Sequence, residues 1–180
     1  MINNVNANQA LLWHNVNSQT SKQQASNTTF AHIQLDIDAL FTAGVRVPGG
    51  GMMSASVFKT ESFSFHNPVM LVRGVDVDGT PFEVEVNINN VDPRNASFIE
   101  MFALDGYFAA KGKPYSVIRA SFGLMDAQKS DGNNAFTQFD FVTPLLELLK
   151  TQYLNRNWEA VAWLNPVVET LLNHIAQRTG

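Results

Sequence analysis

The stretch VRGVDVDGTPFEVEVNINNVDP, residues 72 to 93, constrains the fold more than any other in the chain. Asp78-Gly79 is a dipeptide favoured at the centre of a two-residue hairpin turn. Placed there, it sets Val75 opposite Phe82, Arg73 opposite Val84, Leu71 opposite Val86 and Val69 opposite Ile88. The other side then pairs Met70 with Asn87, Val72 with Glu85, Gly74 with Glu83 and Asp76 with Pro81. One side is nearly all apolar and the other mostly polar, as a half-buried antiparallel pair requires. A calcium loop of the EF type starting at Asp76 needs Gly at its sixth place and a bidentate Glu at its twelfth. Pro81 and Asn87 stand there instead. The acidic knot reads as a turn, and no metal site is expected.

Alternation of period two extends upstream. In FAHIQLDIDALF, from Phe30, the apolar Ile33, Leu35 and Ile37 alternate with His32, Gln34, Asp36 and Asp38, which predicts a strand with one buried face. VRVPGGGMM (45 to 53) is rich in breakers and reads as a loop, and SASVFKTESFSF resumes strand character as two short pieces or one bulged one. His66-Asn67-Pro68 signals a turn.

After residue 92 the period lengthens. Phe98, Met101, Phe102, Tyr107 and Phe108 form a stripe at helical spacing. Its cap is Asp92 ahead of Pro93, or Asn95, or Ser97 with Glu100 as a capping box. Gly112 between Lys111 and Lys113 suits a C-terminal stop. Residues 115–123 fit strand and helix equally, and AQKSDGNNAFTQFD is loop-like. Thr143-Pro144 predicts a helix start, with Leu145, Leu146, Leu148, Leu149 and Tyr153 on its inner face. Asn155-Arg156-Asn157 interrupts the pattern. A short helix then carries Trp158, Val161, Ala162 and Leu164, and Asn165-Pro166 restarts the pattern with Val168, Leu171, Leu172 and Ile175 inward.

Strands followed by helices predict an α+β fold rather than a wound parallel sheet. The expected architecture is an antiparallel sheet over about residues 30–92, with 115–123 a candidate further strand, packed against C-terminal helices. Residues 30–180 would form a single domain. Ahead of it, residues 1–29 are a tract of Asn, Gln, Ser and Thr in which Lys22 is the only charged side chain. Such a composition cannot bury enough apolar area to offset its ordering entropy, so it reads as an arm. Its one apolar spot, Ala10-Leu11-Leu12-Trp13, packs back on the domain or docks a partner.

Composition narrows the chemistry. A chain of 180 residues can bury about 70% of its unfolded surface without metals or disulfides. Only 16% of residues are charged, the net charge is −4, and no Lys/Arg cluster exists, which disfavours nucleic acid as a partner. The absence of cysteine removes thiolate sites and Cys nucleophiles. No apolar run is long enough to span a membrane, and no basic segment precedes an apolar one at the N-terminus. The expected location is therefore the cytoplasm, with export by a route that needs no cleaved signal as the alternative.

Candidate sites are few. Pro48-Gly49-Gly50-Gly51 lacks the Lys-Ser/Thr ending and following helix of a phosphate cradle, so it reads as a connector, with a ligand loop bordered by His66 as the alternative. His32 and Asp36 share a strand face about 13 Å apart, too far for direct contact. His174, late in the last helix, would complement the helix dipole as a cation. Glu83 and Glu85 share a strand face, the ordinary pattern of a wet sheet surface. Trp158 and Trp163 project about 140° apart on one helix, so at most one is central to a core and the other is free for a partner.

The function read from this is a non-catalytic interaction or assembly module, working through the arm (Leu11, Leu12, Trp13) and the aromatics Trp158 and Trp163. Its partner is a protein or a second copy of the chain, and no cofactor is expected. The alternative is a small enzyme or ligand-binding protein with a pocket near Gly49, Gly50, Gly51 and His66.

Overall fold

A computed structural model describes residues 38–113, 117–118 and 131–179, all within one compact unit, Ile37–Gly180. The expected strand at 30–37 and the arm lie outside the described residues. Four strands form an antiparallel meander in chain order: β1 (Phe41–Arg46), β2 (Met52–Lys59), β3 (Val69–Val75) and β4 (Pro81–Asn87). One face collects Phe41, Ala43 and Val45 from β1, and Met53, Ala55 and Val57 from β2. Met70 and Val72 from β3 join them, with Phe82, Val84 and Val86 from β4. The α+β class expected from the order of periods is the one observed.

The β3–β4 hairpin is present, but its register differs from the expected one by a residue. Val72 pairs with Val84, Gly74 with Phe82, Arg73 with Glu83 and Val75 with Pro81. The loop holds three residues, Val77-Asp78-Gly79, closed by Asp76 N–H to Thr80 O (2.9 Å) and Gly79 N–H to Asp76 O (3.0 Å). Gly79 takes φ +88°, a left-handed conformation open to glycine at little steric cost, which makes this a type I turn with a glycine bulge. A one-residue slip turns a strand over. Met70 and Val72 therefore enter the core, while Val69, Leu71 and Val75 stay half-buried on the opposite face. Arg73 gains Glu83 as its cross-strand partner, Nε to Oε2 2.6 Å.

β4 runs through a single 3-10 turn (Ile88–Asn90) toward helix α1 (Phe98–Ala110). Of the three candidate caps, Ser97 is the one used. Its hydroxyl accepts from Glu100 N–H (3.2 Å), and the Glu100 carboxylate accepts from Ser97 N–H (2.7 Å). The far end closes as expected at Gly112: Gly112 N–H reaches Ala109 O and Lys113 N–H reaches Phe108 O, both at 2.9 Å, a Schellman pair. Between these ends ten residues are buried, so α1 is apolar nearly all round and sits inside the core.

Its approach to the sheet is set by Gly106. A Cβ added there would lie 2.5 Å from Val57 Cγ1 and 3.5 Å from Met70 Cε. The buried Asp105 carboxylate accepts from the N–H groups of Val117 (2.9 Å) and Ile118 (3.2 Å). Those two residues are helical, not strand. The rest of 115–123, apart from these, lies outside the described residues.

A two-residue ladder of β5 (Ala96–Ser97) with β6 (Gln138–Phe139) brings the later chain back to the start of α1. There Phe98, Phe139 and Phe141 meet edge to face, with centroids 5.2 to 6.3 Å apart. Helix α2 (Val142–Leu154) follows, and its cap is not Thr143. Asp140 Oδ1 accepts from Val142 N–H (2.8 Å) and Thr143 N–H (3.1 Å), so the helix begins before the proline that suggested its start.

The expected pair of terminal helices is a single one, α3 (Trp158–Thr179), with Pro166 inside it. Proline leaves the carbonyl four residues back, on Ala162, without its usual donor. Ala162 is exposed, so water can replace that donor, and the inward series Leu164, Val167, Val168, Leu171, Ile175 continues unbroken. Among the described residues no helix is long and apolar enough to cross a membrane.

The α2–α3 turn is a Schellman motif of unusual composition. Asn157 N–H reaches Gln152 O (2.9 Å) and Arg156 N–H reaches Tyr153 O (3.1 Å), with Arg156 in the left-handed position at φ 56°. Glycine normally occupies this place.

Two substitutions test this account. Gly106→Ala places a methyl group against Val57 and is expected to cost about 1–2 kcal/mol by urea denaturation, despite alanine's higher helix propensity. Arg156→Gly relieves the left-handed strain and is expected to add about 0.5–1 kcal/mol in the same assay.

Candidate interaction surface

The glycine loop is a tight turn rather than an open cradle. Val47 and Gly51 close it through Val47 N–H to Gly51 O and Gly50 N–H to Val47 O, both 3.0 Å. Pro48 and Gly49 fill its centre, and Gly49 has φ 72°, which defines a type II turn. One side of the loop is covered, while Gly49 stays exposed. The Asn133 side chain donates to Pro48 O (2.8 Å), and a Cβ on Gly50 would run into the Asn133 carbonyl.

The acidic knot is divided between two tasks. Asp76 is buried, and its Oδ1 accepts from Val77 N–H (2.7 Å) and from Ala135 N–H (2.8 Å), across to the segment that covers the glycine loop. Asp78 is exposed at the tip and accepts from Thr80 N–H (2.8 Å). That bond first, and the Thr80 hydroxyl second, hold the Asp78 carboxyl below its ordinary range.

His66 is exposed in the connection between β2 and β3. The glycine loop precedes β2 and His66 lies in the connection that follows it, so the two belong to opposite ends of a strand of 8 residues, itself about 25 Å long. The structure does not bring Gly49, Gly50 and Gly51 together with His66. On the outer face of β4, Glu83 and Glu85 are both exposed, as their alternation predicts, and Glu83 is taken up by Arg73.

His174 is buried, in contrast to its expected role as a cation complementing the dipole. Its Nε2 lies 3.0 Å from Val91 O, and the Phe108 ring meets it edge-on at 6.3 Å. A carbonyl can only accept, so Nε2 carries the hydrogen and donates. Burial is the main influence on the ring and pushes its pKa below the ordinary value, favouring the neutral imidazole.

Several aromatic and aliphatic side chains at and beside the tip of the α2–α3 hairpin are exposed. Trp158 and Trp163 are 56% and 54% exposed, so neither belongs to the core. Tyr153, expected on the inner face of α2, is 59% exposed and packs edge-on against Trp158 with centroids 5.4 Å apart. Leu154, which the sequence did not single out, is 70% exposed beside it. Leu146 and Leu172, also expected inward, are partly exposed as well.

The readable signal was numerical. Leu145, Leu146, Leu148, Leu149 and Tyr153 span more of a helix circumference than one contact can cover, and only Leu145 among them is fully buried. Leu11, Leu12 and Trp13 lie outside the described residues. Among the described residues no group of three or more His, Asp or Glu is placed to hold a metal ion. No family model, curated protein or solved structure matches the chain.

Proposed function

We propose that this protein is a non-catalytic interaction or assembly module whose contact surface is the tip of the α2–α3 hairpin. The observation carrying this reading is the exposed cluster Tyr153, Leu154 and Trp158, held together by the Tyr153–Trp158 ring contact. At these exposures the three residues present on the order of 400 Å² of surface, mostly apolar, comparable to the largest apolar patch of a soluble monomer, which is often functional. Aromatic side chains of this kind dominate the energetics of protein contacts, because they bring large area with few rotatable bonds.

The backbone supports the same assignment. Arg156 holds a left-handed conformation where glycine would relieve strain, and strain of this kind clusters at functional positions. Arg156 itself is exposed between Leu154 and Trp158 in the chain, and arginine is a side-chain type enriched in interfaces. In this reading the N-terminal arm, with Leu11, Leu12 and Trp13, supplies a second attachment.

The partner to test first is a second copy of the chain. Light scattering and native mass of the full chain at micromolar concentration are expected to show an assembly larger than one chain. Leu154→Gln combined with Trp158→Ser should return it to a monomer with an unchanged far-UV spectrum, and removal of residues 1–28 should weaken it. A wild type that stays monomeric, or an assembly unmoved by the paired substitution, would overturn assembly through this surface.

A further inference from the structure

The last two turns of α3 are fastened to the connector between β4 and α1 by a small set of polar contacts. His174 Nε2 donates to Val91 O (3.0 Å), Arg178 Nε donates to Asn89 O (3.0 Å), and Arg178 Nη1 pairs with Asp92 Oδ2 (3.4 Å). Beneath them Leu171, Ile175, Val91 and Phe108 are buried. The charged groups facing the imidazole are Arg178 from its own helix, Asp92 from the connector and Lys111 from the end of α1. Two of the three are cations. We propose that this end of α3 is a pH-released latch: in mild acid His174 takes up a proton, and residues 171–178 undock from residues 89–92.

The driving force follows from the surroundings of the ring. A charged imidazolium here would be desolvated beside two cations and one carboxylate. Its bond to Val91 O survives protonation, since Nε2 already donates, so the cost falls on burying the new charge. Undocking returns the ring to water and uncovers the apolar Val91, Phe108 and Leu171.

The sign is fixed by the lowered value in the folded chain against 6.5 for the free group. The unfolded or undocked form binds the proton first, so stability is complete above that unperturbed value. It falls as the pH drops below 6.5 and levels off once the pH is below the folded value.

This latch is independent of the assembly surface. Trp158 starts the helix and His174 lies sixteen residues on, about 24 Å along the axis. Either reading can fail without the other.

Hydrogen exchange of the full chain, corrected for intrinsic rates and compared at about pH 7.5 and about pH 5.5, tests the latch. In the wild type, amides of 171–178 are expected to lose protection by up to roughly tenfold at the lower pH, while those of α1 keep theirs. In His174→Gln the protection of 171–178 should no longer depend on pH. Wild-type protection of this segment that is independent of pH, or a pH response preserved in His174→Gln, overturns the proposal. Should the variant not fold, the wild type still decides. Loss confined to the end of α3 with a one-proton dependence supports the latch, and loss spread evenly over the sheet and α1 rejects it.

Discussion

Everything else in the fold depends on α1 being buried on nearly all sides. A helix in that position cannot leave its terminal amides and carbonyls to water. Both ends are closed by the chain itself: Ser97 and Glu100 satisfy the first turn, and the Gly112 turn satisfies the last. The carboxylate that α1 itself carries into the interior, on Asp105, is taken up by two backbone amides at 117 and 118. Gly106 then lets the helix axis approach the sheet until Val57 and Met70 touch its backbone. Where α1 rests decides where the sheet's inner face must be, and the sheet in turn fixes the two hairpin tips that residues 133–135 tie together.

The class of the fold and the ends of α1 were legible in the sequence because they rest on local chemistry. A capping box and a glycine stop are read within four residues of where they act. Register was not legible, for a reason visible in β3. Val69, Met70, Leu71 and Val72 are apolar on both sides of the strand, so its own pattern favours neither face. The decision was taken by Gly79, which accommodates a three-residue loop, and it is echoed in Arg73 facing Glu83. The charge pair was a signal available in the sequence and outweighed by the preference of Asp78-Gly79 for a two-residue turn. Pro166 misled in the opposite sense. A proline one turn beyond an exposed alanine removes a hydrogen bond that water replaces, so the helix runs through it.

The candidate surface was half legible. The separation of Trp158 and Trp163 around one helix required at least one of them to leave the core, and both do. Tyr153 and Leu154 were hidden because a leucine-rich run in a helix looks like core wherever it occurs. Which of its residues are covered depends on how far α3 reaches along α2, and that is set by the turn at Asn155, Arg156 and Asn157. The polar joints Asp76 and Asn133 were equally hidden, since each acts on backbone more than fifty residues away.

Those joints share a design with physical consequences. Asp76 to Ala135, Asn133 to Pro48, Asp105 to Val117 and His174 to Val91 are all buried side chains bonded to the backbone of another segment. Such a bond is costly to break by half, because the group left behind stays buried and unsatisfied. It therefore specifies one arrangement of segments that apolar contacts alone would hold less uniquely. An amide does not titrate. Imidazole changes charge in mild acid. Of the four joints, the one at His174 is accordingly the one suited to convert a small change in acidity into a change of structure, and it lies at the end of α3, away from the contacts between the sheet and α1.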